Sequence, residues 1–344
     1  MRKRLIAVSL LCGALLSLAA CGNYAIPDST PLPSQTAEAN PFDEAEEAAG
    51  FLAMLTHGVA SADFSESGER LPFPYDGGEF RLDYRFSLTG KMDTVGFLLF
   101  LDGQPQPYKV NDTTGEYAYC HSFPAEEEQN FSFLFEPVTG RAGDTLALTV
   151  VSITNPDFQP DMESTSGYGW YHKTLDYRVE LQFNADAPAD HSGLPPVREI
   201  FSQSEMREEK VTAQYVENEL PQYGWGGVSM DTLDSGIYYT FSCDGGITYD
   251  NLRLSAPVPL LFTMCGTAGT SYSVAFFLDH QPVKLGESAC RSITLRKGGV
   301  MELEAVIDPD KLGQFHTFYC VAVPQDGVSG PFFKTNSILL YKEN

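Results

Sequence analysis

Six histidines, His57, His121, His172, His191, His280 and His316, are the side chains best suited to carry protons or bind metal near neutral pH. They are scattered, none has another at metal-ligand spacing, and the chain has no CxxC pair, which argues against a zinc site. No H-E-x-x-H, G-x-S-x-G, P-loop or G-x-G-x-x-G occurs, and no calcium loop of the D-x-[DN]-x-[DN]-G type. Glu126-Glu127-Glu128 reads as a solvated loop rather than a general acid–base pair. His280 falls in a turn, where solvation is expected, and His121 has no recognisable partner. The expectation is no catalytic residue, no metal and no cofactor.

Aromatic chemistry is better represented. Both tryptophans lie in the tripeptide Tyr-Gly-Trp, as Tyr168-Gly169-Trp170 and Tyr223-Gly224-Trp225. The first copy lies in a long loop rich in Ser, Gly and Tyr, the composition of loops that bind through rigid aromatic anchors. Exposed Tyr and Trp faces also suit stacking on the C–H faces of sugars. Tyr168, Trp170, Tyr171, Tyr223 and Trp225 are therefore the candidate ligand-binding residues. The alternative is that each tryptophan tucks under its own loop or plugs a seam between domains, Trp225 more so than Trp170.

The amino terminus carries an address. Arg2, Lys3 and Arg4 precede a mostly apolar run from Leu5 to Ala20, the length of a signal-peptide core and short for a membrane span. It ends Leu18-Ala19-Ala20-Cys21, which resembles a bacterial lipobox. The resemblance implies cleavage before Cys21 and a diacylglyceryl group on its thiol. At about 0.8 kcal/mol per buried methylene, two acyl chains anchor stably where one does not. The expected location is the outer, extracytoplasmic face of a cell membrane, with the membrane as partner through Cys21.

Loss of residues 1–20 removes three of the 22 basic residues and no acid, so the remaining 324 residues carry a net charge of −27. Such a body is repelled by nucleic acid and by an anionic bilayer. No nucleic-acid partner is expected, and the lipid rather than a protein face must hold the membrane. Cys120, Cys243, Cys265, Cys290 and Cys320 are odd in number and irregular in spacing, which reads as small buried hydrophobes rather than a disulfide framework. One bridge, Cys265–Cys290, stays open.

The elements that must position these residues are strands. Phe80, Leu82, Tyr84, Phe86 and Leu88 alternate with polar residues, as do Phe131, Phe133 and Phe135, and Tyr177, Val179, Leu181 and Phe183. Met301, Leu303 and Ala305 do the same later, and Phe318–Val323 is a continuous apolar run. Many short strands without long helical patterns between them imply a β-sandwich. Val211–Val216 and Ile237–Phe241 are further candidate strands, and Asp43–Leu55 a short helix.

The heptad LFLDGQP (99–105) returns as FFLDHQP (276–282). Six other short matches keep the same order: Tyr75-Asp76 with Tyr249-Asp250, Arg81-Leu82 with Arg253-Leu254, Cys120-His121-Ser122 with Cys290-Arg291-Ser292, Glu136-Pro137 with Asp308-Pro309, Pro156 with Pro324, and Lys173-Thr174 with Lys334-Thr335. Collinear matches imply an internal duplication. In each heptad a strand runs into a hairpin turn. Asp102-Gly103 suits a type I′ turn, while His280 at the glycine position weakens that case in the second copy. Pro105 and Pro282 should begin a strand or lie at a sheet edge.

In strand number and size the repeated unit resembles bacterial immunoglobulin-like modules. The fold class read from the sequence is all-β: two tandem immunoglobulin-like β-sandwiches from an internal duplication, preceded by a signal peptide and flexible stalk. The division is signal peptide 1–20, acidic Pro/Ser/Thr/Ala-rich stalk 21–50, β-sandwich 51–184, Pro-rich linker 185–200, and second β-sandwich 201–344 with an N-terminal extension. The function that follows is a lipid-anchored, non-catalytic surface protein presenting these domains for binding, adhesion or scaffolding. A carbohydrate-binding lipoprotein using the Tyr/Trp loops is the alternative, and a hydrolase with its site at the domain junction a third. The partner is a glycan or another surface protein.

Overall fold

The computed structural model describes residues 54–90, 92–112, 114–160, 167–220, 227–243, 250–325 and 330–342. Cys21, the stalk, Tyr223 and Trp225 lie outside them.

In the first half the period-two stretches become β1 (Met54–Val59), β2 (Phe73–Tyr75), β3 (Phe80–Thr89), β4 (Thr94–Leu101) and β5 (Gln104–Gln106). They continue as β6 (Lys109–Val110), β7 (His121–Pro124), β8 (Glu128–Phe135), β9 (Thr145–Thr154) and β10 (Thr174–Phe183). One sheet runs β1-β3-β8-β6. The other runs β2-β10-β9-β4-β5, with β7 also on β4. β2 joins β10 in parallel, while β10, β9 and β4 pair antiparallel. This is an immunoglobulin-like sandwich. β3 alternates strictly, with Phe80, Leu82, Tyr84, Phe86 and Leu88 inside and charged or polar residues outside.

The second half repeats this order except at one edge of its four-stranded sheet, where the outer strand comes from the segment ahead of the repeated unit rather than from inside it. Its strands are β11 (Phe201–Lys210), β12 (Ile237–Cys243), β13 (Asn251–Arg253), β14 (Val258–Gly266), β15 (Ser271–Leu278) and β16 (Gln281–Val283). They continue as β17 (Arg291–Thr294), β18 (Gly299–Ile307), β19 (Phe315–Pro324), β20 (Phe333–Lys334) and β21 (Ile338–Tyr341). The sheets run β11-β18-β14-β12 and β13-β21-β19-β15-β16, and β13 is again parallel to β21. The protein is all-β, with two immunoglobulin-like sandwiches in tandem.

The register shows which repeats are true equivalents. Phe100 pairs with Pro105 as Phe277 pairs with Pro282, so the heptads correspond residue for residue. Phe97 faces His121 as Val274 faces Arg291, which places the Cys120 and Cys290 segments in equivalent positions. Other matches slip. Arg81 lies in β3 but Arg253 ends β13, a strand that corresponds to β2. Val95 faces Thr154 as Tyr272 faces Pro324, so Pro324 answers Thr154 rather than Pro156. Pro105 and Pro282 sit in edge strands, where the missing N–H costs no ladder bond.

Four expectations change, and the open question of the bridge is closed. Both turn residues have positive φ in each heptad: 49° and 74° at Asp102 and Gly103, 50° and 63° at Asp279 and His280. The second hairpin therefore keeps the primed turn despite its histidine, and His280 is buried rather than solvated. Ala213–Asn218 is a helix, α2 by chain order, because Thr212 caps it by accepting from the Tyr215 N–H. Met54 and Leu55 begin β1 rather than ending a helix; the rest of that predicted helix lies outside the described residues. Cys265 and Cys290 are free thiols in different apolar clusters, and no bridge joins them. Adding a reductant should therefore leave the melting temperature unchanged; a fall of several degrees would reveal a bridge.

The continuous apolar strands have a single cause. In β4, Phe97, Leu99 and Leu101 enter the core of their own sandwich, while Leu98 and Phe100 point the other way. In β15, Val274, Phe276 and Leu278 do the same, while Ala275 and Phe277 point out. The outward residues meet. Leu98, Phe100, Val151 and Ile153 pack on Ala275, Phe277, Tyr319, Val321 and Val323 in a third apolar cluster. Phe100 and Phe277 lie edge to face, their centroids 5.9 Å apart. The two sandwiches share a seam, sheet against sheet. The segment before β11 is docked as well: the Arg198 N–H donates to Pro282 O, and the Lys284 N–H to Arg198 O.

Candidate functional site

The connection from β9 to β10 forms the junction's rim. The side chain of Thr154 donates to Tyr171 O and accepts from the Lys173 N–H, fixing the base of the loop. Gly167, at φ 79°, turns the chain into the short helix α1 (Tyr168–Tyr171). One helical turn separates the aromatic residues by direction. Tyr168 points into the seam, 1% exposed, with its hydroxyl bonded to that of Thr317. Burial raises its pKa to about 12. Tyr171 stacks on Phe158 at a centroid distance of 3.8 Å, with the planes 8° apart. Trp170 points outward and is 66% exposed. The Lys173 ammonium lies 3.8 Å from the centre of its ring.

Of the candidate residues, the structure thus brings Tyr168, Trp170 and Tyr171 into one loop and gives them three roles: seam contact, exposed platform and stacked support. Trp170 neither tucks under its loop nor fills the seam.

Below the loop is a half-open pocket of about 130 Å³, lined by Phe158, Gln159, Tyr168, Asp279, Phe315 and His316 among others. Asp279 is its organising group. The carboxylate accepts from His316 Nδ1 at 2.7 Å, from the Thr317 N–H at 3.0 Å and from Arg198 Nη1 at 3.2 Å. Burial works against its charge, but these donors outweigh it and hold the carboxyl below its ordinary range. His316 Nε2 accepts from the Gly313 N–H at 2.7 Å. Both ring nitrogens are engaged in hydrogen bonds, so the His–Asp pair is held as a clamp. Among the described residues, no group of three or more His, Cys, Asp or Glu is placed to hold a metal ion, and no helix is long and apolar enough to cross a membrane.

Sequence reasoning missed the Asp279–His316–Arg198 clamp and the partners Phe158 and Lys173. The members of the clamp come from a linker, a hairpin turn and a strand start, so no local spacing announces them. Lys173 was visible as part of a repeated Lys-Thr pair, but its place over an indole ring was not.

No protein-family model and no curated protein matches this chain. Solved structures align with it only distantly. A protein of unknown function from Porphyromonas gingivalis W83 is 11% identical, with 83% of this chain and 99% of that chain covered and a TM-score of 0.21. The C-terminal domain of the BspA polypeptide from Streptococcus agalactiae is 8% identical, with 84% and 100% covered and a TM-score of 0.19. The CupB6 tip adhesin from Pseudomonas aeruginosa is 7% identical, with 84% and 97% covered and a TM-score of 0.19. At these scores the likenesses carry no argument about this chain's function.

Proposed function

We propose that the chain is a lipid-anchored, extracytoplasmic surface protein that binds without catalysis, its two immunoglobulin-like sandwiches presenting the β9–β10 loop to a partner. One observation carries the binding role. Trp170 is 66% exposed on a loop whose neighbours are locked into the seam. Leaving a large aromatic side chain in water is unfavourable, and anchoring its loop from below pre-organises it for a contact. The lipobox ending in Cys21 supports the anchor.

A glycan is the partner chemistry best matched to this site. The exposed indole of Trp170 offers C–H stacking, and the pocket to which Tyr168 of the same loop contributes, with its carboxylate and amide, offers hydroxyl recognition. Titration of the lipid-free protein with a broad glycan panel, read by tryptophan fluorescence, tests this. Trp170→Ala should weaken binding by about tenfold or more, the scale of an aromatic hot spot. It should leave thermal stability unchanged, because the side chain is exposed. An unmoved signal across the panel counts against a glycan and leaves a protein partner. For the anchor, Cys21→Ser should abolish incorporation of labelled palmitate and release the protein from the membrane fraction. Retention of both label and membrane association would refute the lipobox assignment.

A further inference from the structure

Two buried imidazoles and a half-buried lysine lie where the two sandwiches meet. His172, at the end of the β9–β10 loop, is 2% exposed, and neither ring nitrogen has a hydrogen-bond partner. His280, in the hairpin turn of the other sandwich, is 7% exposed and spans the seam. Its Nε2–H donates to Pro156 O at 2.8 Å, and its Nδ1 accepts from the Tyr319 hydroxyl at 3.0 Å. The two imidazoles are 5.8 Å apart. The Lys334 ammonium donates to Thr335 O and Ser337 Oγ and lies 4.5 Å from the centre of the Tyr319 ring.

The groups facing them give little relief from positive charge. His172 sees Tyr168, His280 and Lys334. His280 sees Lys334 on one side and the carboxylates Asp279 and Asp157 on the other. Lys334 sees Lys173. Asp279 is already engaged by His316 and Arg198.

We propose that His172 and His280, with Lys334, make the joint between the two sandwiches acid-sensitive: closed near neutral pH, and opened as the imidazoles take up protons. In the closed seam an imidazolium at position 172 would have only the Asn155 backbone to relieve it, and no hydrogen bond is formed there as the ring stands. One at position 280 would turn Nδ1 into a donor, so the Tyr319 hydroxyl would have to rotate and accept, leaving its own proton without this acceptor. Opening the seam gives both rings back to water.

The sign and size follow from linkage. Burial, then the charges of Lys334 and His280, depress His172 to about 2, the Asn155 backbone offsetting this only in part. Burial first also lowers His280. In an open seam each ring titrates at its ordinary value of about 6.5. An open imidazole whose closed form stays neutral multiplies the open-to-closed ratio by about 30 at pH 5.0 and by about 1.1 at pH 7.5, so His172 gives about thirtyfold and His280 adds to it in the same direction. Burial, then Lys173, lowers Lys334 to about 7. Its amine therefore favours opening throughout this range and adds only about fourfold between the two pH values.

The chain's own thiols provide the readout. Cys120 and Cys290 border the seam, whereas Cys243 and Cys320 lie in the core of the second sandwich. Labelling of the full-length protein with a pyridyl disulfide, located by peptide mass, gives a protection factor for each thiol against a free-thiol peptide at the same pH. Between pH 7.5 and 5.0, protection of Cys120 and Cys290 should fall by about a hundredfold or more while that of Cys243 and Cys320 falls less. His172→Leu/His280→Asn should confine the fall to about fourfold, and His172→Leu alone should cut it by about thirtyfold. Unchanged protection in the wild type, an equal fall at the core thiols, or an undiminished fall in the double variant would each overturn the proposal.

Discussion

Phe277→Ala is expected to lower the free energy of unfolding by about 3–5 kcal/mol, the cost of emptying a fully enclosed aromatic site. Phe277 is 1% exposed, edge to face with Phe100 and stacked on Tyr319 at 5.4 Å. It makes no part of the second sandwich's own core. Phe276, one residue earlier, does, stacking on Phe318 at 5.6 Å. The two alanine variants should lose similar stability in different ways. Phe277→Ala should split denaturant unfolding into two transitions, one per sandwich, because it weakens the apolar cluster that couples them. Phe276→Ala should weaken the second sandwich while leaving the coupling intact. A single wild-type transition in Phe277→Ala would mean that this ring does not carry the coupling.

The second large effect concerns the one residue at which the heptads differ in the turn. A side chain at Gly103 would place Cβ 2.5 Å from Ser273 Cβ. In the first sandwich the residue equivalent to Ser273 is a glycine, Gly96. A Cβ at position 96 would stand 2.8 Å from Cys120 Sγ and 3.0 Å from Pro156 Cγ. Each copy therefore has one small residue where the other has a larger one. Gly103→His, which writes the second heptad into the first, is expected to cost about 2–4 kcal/mol, from overpacking plus loss of a glycine at φ 74°. Ser273→Gly in the same chain recreates the Gly96–His280 arrangement and should restore about half of that loss. Thermal denaturation of the single and double variants measures both, and a silent Gly103→His would show that the seam yields easily.

Much of the architecture could be read without coordinates. Strict alternation in Phe80–Leu88 made β3 unmistakable, since only period two puts all five apolar residues on one face. The edge strand β11 gave no such signal. Its sequence, FSQSEMREEK, is exposed over most of its length and held by cross-strand pairs such as Arg207 with Glu302 and Glu304. A strand without a buried face carries no periodicity to detect. α2 was misread because Val211 and Val216 look β-forming, while a single cap at Thr212 decides the local conformation. At the junction, the aromatic loop was visible from composition, but the directions of Tyr168, Trp170 and Tyr171 depended on one turn of helix.

The amino-acid order by itself determined the strand periodicity, the repeated heptad and the candidate lipid-bearing cysteine, because each is a local pattern of adjacent side chains. Only the tertiary structure decided that β4 and β15 are buried on both faces, that His280 lies in a seam rather than in water, and that Trp170 stands free. A residue's second neighbour shell comes from chain segments more than a hundred positions away, as Phe100 meeting Phe277 shows. Burial, and with it charge and contact, is a property of that meeting rather than of the segment.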